Sequence, residues 1–240
     1  MKELAADQAH VWFVRPEEVL RRGLVDRYSQ LLTADETERG LRFRFEESRL
    51  EYLVTRVLVR TVLSRYADVG PGDWKFGKHP GGRPEVVQPM PATTPRFSLS
   101  HTRELIACLV ARDRDVGVDV ENTTRSVGFL EIAERYFSAG EVADIRSLPE
   151  PGARKRFFEY WTLKESAIKA MGTGISSGLS RVCFDLGESA IRASLDGEDP
   201  AGWQFSLHEI GPDHLLAASL RTEHGERLRI SIRETVPLDE

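Results

Sequence analysis

Two cysteines and three methionines are few for a chain of 240 residues. So little cysteine excludes a disulfide scaffold, and neither Cys108 nor Cys183 has the paired spacing of a zinc site. Each sits among apolar neighbours, so both are expected as reduced, buried core residues. Long apolar runs are also missing. The run from Leu105 to Ala111 is a strand's length and far too short to span a membrane. The N-terminal M-K-E-L-A-A-D-Q has acidic residues and no apolar h-region, so no signal peptide is expected and the cytoplasm is the default location. Positive charge is not in excess either. A net charge of −5 argues against a nucleic-acid binder. Arg39, Arg42, Arg44, Arg49, Arg56, Arg60 and Arg65 nevertheless allow a local basic surface in the first half. No G-x-S-x-G elbow and no Walker-type glycine loop occurs, which removes the common hydrolase and P-loop signatures.

What is present is ordinary for a soluble globular protein: 40% hydrophobic and 30% charged residues, enough for one large domain or two small ones. His10 to Val14 predicts a strand and Pro16 to Leu24 a short helix. Thr33 followed by Asp35 and Glu36 is a capping pattern that opens a helical run towards Phe45. Glu47 to Tyr66 predicts a long helix, with Leu50, Leu53, Val54, Val57, Leu58, Thr61 and Val62 on one face. Gly70 to Pro84 reads as loop around a short strand at Trp74 to Phe76. Arg96 to Leu99 and Glu104 to Arg112 predict strands about a Ser100-His101-Thr102 turn, with a further strand at Val116 to Glu121. After the polar loop Asn122 to Gly128 come helices at Phe129 to Tyr136, Ala139 to Ser147 and Ala153 to Ala170. Gly172 and Gly174 stop the last of these. Val182 to Asp185, Ile191 to Leu195, Trp203 to His208, His214 to Leu220 and Arg227 to Arg233 predict strands of an antiparallel sheet. The fold class is therefore α+β, each half running small strands around a long helix, with a boundary that gives segments 1–114 and 115–240.

Two segments carry the chemistry. In Val116-Gly117-Val118-Asp119-Val120-Glu121 the alternation puts Asp119 and Glu121 on one strand face. In Trp161-Thr162-Leu163-Lys164-Glu165-Ser166-Ala167-Ile168-Lys169 the helical period puts Glu165 and Lys169 on one face, with Trp161 a turn before Glu165. Either could be bland: a polar strand face, or an i,i+4 pair worth only ~0.3–0.5 kcal/mol. Brought together, however, three carboxylates repel, at roughly 4 kcal/mol per pair at ~4 Å. A hard divalent cation bound through oxygen ligands would remove that repulsion, and such cations commonly serve phosphate chemistry. A glycosidase pair fits less well, since two acids on one strand face are only about 6–7 Å apart at Cα and point the same way.

These segments resemble the signature of the 4′-phosphopantetheinyl transferases of the surfactin-synthetase-activating type. Phe97-Ser98-Leu99-Ser100-His101-Thr102 resembles the family's F-N-L-S-H-S, and Gly82-Arg83-Pro84 its G-K-P. The four motifs stand in order over roughly residues 75 to 175. The resemblance implies two related subdomains about a pseudo-two-fold, each with a small antiparallel-rich sheet on a long helix, and an active site in the cleft between them. It implies that Asp119, Glu121 and Glu165 ligate Mg²⁺, with Mn²⁺ the alternative. Glu165 would take the proton of a carrier serine, directly or through a metal-bound water, and Lys169 would contact the phosphates of coenzyme A. Arg39, Lys78, Arg83, Ser98, Ser100 and His101 would bind the nucleotide and phosphates, with Arg49 and Arg56 in reserve. Ser98 stands where the family has Asn, Arg83 where it has Lys, and Glu36 where some members have a basic residue. The implied activity moves the phosphopantetheine arm of coenzyme A to a serine of an apo acyl or peptidyl carrier protein and releases adenosine 3′,5′-bisphosphate. A cytoplasmic monomer with no nucleic-acid or membrane partner is expected. Arg125 and the helix face of Phe129, Ile132 and Tyr136 are candidates for meeting an acidic carrier. The rival readings are a non-catalytic coenzyme A or carrier-binding module and a metal-dependent hydrolase of the coenzyme A pyrophosphate.

Overall fold

A computed structural model describes residues 4–78, 82–91, 95–173, 178–187, 190–223 and 225–239. It divides into two compact units, one of residues 1–80, 84–113 and 229–240, the other of residues 81–83 and 114–228. Among the described residues no helix is long and apolar enough to cross a membrane. The loop expected over 78–83 lies partly outside the described residues, at 79–81, as does Gly174.

The first unit is built on a four-stranded sheet. Its strands are β1 (Gln8–Val14), β4 (Arg96–Thr102), β5 (Leu105–Ala111) and β11 (Arg229–Glu234), in the order β11-β1-β5-β4. Its helices are α1 (Pro16–Arg21), α2 (Val25–Ser29), α3 (Ala34–Leu41) and α4 (Glu46–Ser64). Strand β5 is buried throughout, as its unbroken apolar run requires of a central strand. On α4 the residues Leu53, Val54, Val57, Leu58 and Val62 are buried against Trp12, Ile106, Cys108 and Val110 of the sheet, which is the predicted apolar face at work. The hairpin turn between β4 and β5 falls at Arg103–Glu104, with Glu104 at φ 69°, so Ser100, His101 and Thr102 lie in the strand and not in a turn. A separate hairpin pairs β2 (Lys75–Lys78) with β3 (Pro84–Gln88). Strand β3 and helix α2 are additions to the sequence reading.

In the second unit β6 (Val116–Asn122), β9 (Trp203–Ile210) and β10 (His214–Arg221) form an antiparallel sheet in the order β6-β10-β9. Helices α5 (Phe129–Tyr136), α6 (Ala139–Ser147) and α7 (Gly152–Met171) accompany it. Helix α7 ends on Gly172 at φ 69°, whose N–H donates to the Ile168 carbonyl at 2.9 Å. The sheet expected from residues 182 to 233 is divided instead. Strands β7 (Val182–Leu186) and β8 (Ile191–Leu195) make their own hairpin, and β11 pairs in parallel with β1 in the first unit. Glu141 and Lys164 account for the first departure. The buried Glu141 accepts from the Phe184 N–H at 2.9 Å. The buried Lys164 ammonium donates to the carbonyls of Leu179 and Val182 and lies 2.9 Å from Glu141. Strand β7 is thereby fastened to α6 and α7. Cys108 is buried as expected, but Cys183 on β7 is only partly so; both are free thiols.

Candidate active site

The charged residues of the second unit come together where β6 faces α7. Gly117 makes this approach feasible: a Cβ built there would stand 1.9 Å from the Ser166 carbonyl oxygen and 2.5 Å from the Ala170 nitrogen. Asp119 and Glu121 follow on the same strand face and are 2% and 7% exposed. The Lys169 ammonium crosses from the helix and donates to Asp119 Oδ1 at 2.6 Å. Its charge is thus directed at the strand and not simply along the helix to Glu165. Arg125, in the loop after β6, donates to Glu121 Oε1 at 3.2 Å.

The carboxylates sense one another. Burial pushes Glu121 up to about 7; Asp119 and Glu165 push in the same direction, and Arg125 opposes them. Burial, then the charge of Asp119, raises Glu165 too, while Lys169 and Arg125 pull it back. The buried indole N–H of Trp161 lies near Glu121 without closing a hydrogen bond. The sequence places this tryptophan beside Glu165, so its leaning towards Glu121 is new. Among the described residues no group of three His, Cys, Asp or Glu side chains is placed to hold an ion as it stands. The donor set nonetheless fits a hard dication in chemistry. All three groups offer carboxylate oxygens, and their mutual repulsion is what a positive charge would relieve.

In the first unit Arg39, Arg42 and Phe43 line a pocket of about 640 Å³ with Asp35, Glu38 and Lys78. The pocket brings Arg39 and Lys78 together and adds Arg42, one helical turn beyond Arg39, which the i,i+3 spacing could have flagged. Ser98, Ser100 and His101 are on one strand but not on one face. Ser98 and Ser100 are buried on one side, while His101 is exposed on the other, its Nδ1 4.0 Å from Glu51 Oε2. Arg83 stands 3.4 Å from Asp115. The reserve candidates are engaged elsewhere, Arg49 with the Phe43 carbonyl at 2.8 Å and Arg56 with Glu36. Burial alone would raise Glu36, but Arg56, the Thr33 N–H and Arg60 hold it below the ordinary carboxylate value. On α5, Phe129 is buried against Phe157 and so is no docking residue; the exposed apolar side chain there is Leu130.

The profile of the 4′-phosphopantetheinyl transferase superfamily matches residues 115–219, and that of the 4′-phosphopantetheinyl transferase N-terminal region matches residues 24–113. The chain is 32% identical to the 4′-phosphopantetheinyl transferase HetI of Nostoc, over 90% of this chain and 88% of that one. It is 33% identical to a phosphopantetheinyl transferase of Thraustochytrium, over 80% and 70%. Sfp of Bacillus subtilis, also a 4′-phosphopantetheinyl transferase, is 28% identical over 80% and 83%. The chain belongs to the 4′-phosphopantetheinyl transferase superfamily.

Proposed function

We propose that this enzyme moves the phosphopantetheine arm of coenzyme A to a serine of an apo acyl or peptidyl carrier protein, with a divalent cation, Mg²⁺ in our reading. The observation that carries the proposal is the cluster of the buried Asp119 and Glu121 with the half-buried Glu165 around β6 and α7, with Lys169 bonded into it. Asp119, Glu121 and Glu165 would hold the cation. Its charge would offset the negative charge that builds on the pyrophosphate oxygens in the transition state.

The chain's own groups then divide the work. The carrier serine Oγ attacks the phosphorus that bears the pantetheine arm, and the bond to the bridging oxygen breaks, releasing adenosine 3′,5′-bisphosphate. Glu165 takes the serine proton, directly or through a water; the water-relayed route is favoured because a carboxylate that also holds the cation is a weak base. Lys169 supplies charge, or a proton, to the leaving phosphate. Arg39, Arg42 and Lys78 bind the nucleotide's phosphate, and Arg83, Ser98, Ser100 and His101 are assigned to the remainder of coenzyme A. Arg125 and the exposed Leu130 are the candidates for meeting an acidic carrier. In this reading the enzyme works in the cytoplasm, and one copy of the chain suffices, since it carries both metal-side and nucleotide-side residues.

Product analysis tests the reaction class. Incubation with coenzyme A, Mg²⁺ and an apo carrier should release adenosine 3′,5′-bisphosphate in step with the serine consumed, and none without the carrier. Free phosphopantetheine in place of modified carrier would make the protein a hydrolase. No product with tight coenzyme A binding would make it a binding module.

A further inference from the structure

Glu36 is the acidic residue at a place where some members of the resembling family carry a basic one, and the structure gives it two sets of partners. Within α3 its Oε2 accepts from the Thr33 N–H at 3.1 Å, which completes the capping box at the start of the helix. Towards α4 its Oε1 takes Arg56 Nε at 2.8 Å and Nη2 at 2.5 Å, and its Oε2 takes Arg60 Nη2 at 2.6 Å. Both guanidinia also lie over the ring of Phe76 on β2, 4.7 and 5.0 Å from its centroid. The cluster is withdrawn from water. Arg60 is fully buried, and the side chains of Arg56 and Glu36 are 15% and 13% exposed.

One carboxylate therefore ties together α3, α4 and β2. Two of these elements, α3 and β2, carry Arg39 and Lys78, and Arg42 caps the end of α3; these are the cations of the pocket. Phe76 precedes Lys78 by two residues on a four-residue strand, so whatever fixes Phe76 also fixes Lys78. Arg56, with two nitrogens on one carboxylate oxygen and a face on a ring, has little left to offer a phosphate.

We propose that Glu36 is a positioning residue for this pocket: it holds α3 against α4 and β2 so that Arg39, Arg42 and Lys78 address one phosphate group together, with Arg56 and Arg60 as its counter-ions and not as phosphate ligands. The inference rests on the reading of the pocket as the nucleotide end of the site. Field and clamp predict opposite signs, which makes it decidable. Neutralising Glu36 removes a negative charge and would by field alone tighten a phosphate ligand; loss of the clamp separates the three cations and weakens it.

The test is calorimetric titration of adenosine 3′,5′-bisphosphate into the parent, Arg39→Ala, Glu36→Gln and the double variant. Gln keeps the side-chain length and an oxygen for the Thr33 N–H, so the cap survives. Arg39→Ala should weaken binding about tenfold, and Glu36→Gln by a similar factor. The double variant should lose less than the sum of the two single losses, because part of what Glu36 does passes through Arg39. A thermal melt of each variant confirms that it is folded. If Glu36→Gln fails to fold, Arg56→Gln, which leaves the cap untouched, takes its place in the same cycle. Binding by Glu36→Gln as tight as the parent's or tighter, or losses that simply add, would overturn the inference while leaving the pocket reading intact. No binding by the parent, or no effect of Arg39→Ala, would overturn the pocket reading and the inference with it.

Discussion

At the scale of residues the second unit is governed by three acids held close together, and their titration has a sign that can be worked out. Glu121 is raised from 4.5 to about 7, and Glu165 moves in the same direction. A carboxylate so raised costs the fold nothing below pH 4.5, where it is protonated in both states. Between about 4.5 and 7 the unfolded chain ionises it and the folded one resists, so stability falls with rising pH and then levels off. Without metal, Glu121→Gln should match the parent at pH 4 and exceed it by about 1–3 kcal/mol at pH 8, as read by urea unfolding in chelator. Added Mn²⁺ should narrow the gap at pH 8 by stabilising the parent. A variant less stable than the parent at both pH values would mean that Glu121 is held by Arg125 rather than strained by its neighbours. The sequence made these residues legible because strand and helix periods alone put Asp119 with Glu121 and Glu165 with Lys169. It hid the Lys169–Asp119 bond and the leaning of Trp161 towards Glu121, since both depend on how far α7 sits from β6.

At the scale of elements that distance is set by Gly117. Gly117→Ala would place a methyl group against the Ser166 carbonyl, with backbone on both sides and nothing flexible to yield. It should cost at least about 1–3 kcal/mol in denaturant unfolding and lower transfer activity more than the same change at Gly140, where a Cβ would meet only the Ser138 hydroxyl at 4.0 Å. Retained stability and activity would mean that α7 can shift without disturbing the carboxylates. Lys164, in the same helical segment as Glu165, is fully buried and paired with Glu141. Lys164→Met should cost about 3–5 kcal/mol by leaving Glu141 buried without its partner, and Lys164→Met with Glu141→Gln should recover part of it. Equal losses in the single and double variants would show that packing, not charge, is what Lys164 provides. Helix limits were readable from the sequence almost residue for residue at α5, which has a clear apolar period, and at α6, which opens on a capping box of Ser138 and Glu141. The fates of β7, β8 and β11 were not, because strand propensity does not say which edge a strand will find. The fastening of β7 by Lys164 and Glu141 and the pairing of β11 with β1 are tertiary choices.

At the scale of the whole molecule the chain makes two compact units, and the segment from 229 to 240 returns to the first of them. The coarse plan of small sheets on long helices was readable from alternation and helical period. The return of the C-terminal strand was not, because it pairs with a partner more than two hundred residues away. Function was legible through the resemblance of 116–121 and 161–169, with the motifs before them, to the signature of the family. It was less so in the first unit, where the arginines near α3 and on α4 look alike in sequence and burial against Glu36 is what separates Arg56 and Arg60 from the exposed Arg39 and Arg42. The most direct test of the account is intact-mass spectrometry of an apo carrier protein incubated with coenzyme A and the enzyme. It should be run with Mg²⁺, with chelator, and with Glu165→Gln in place of the parent. The parent with Mg²⁺ should add one phosphopantetheine arm to the carrier, and the other two incubations should add none. A gain that survives both chelation and Glu165→Gln would contradict the assignment of the carboxylate cluster as the reacting site.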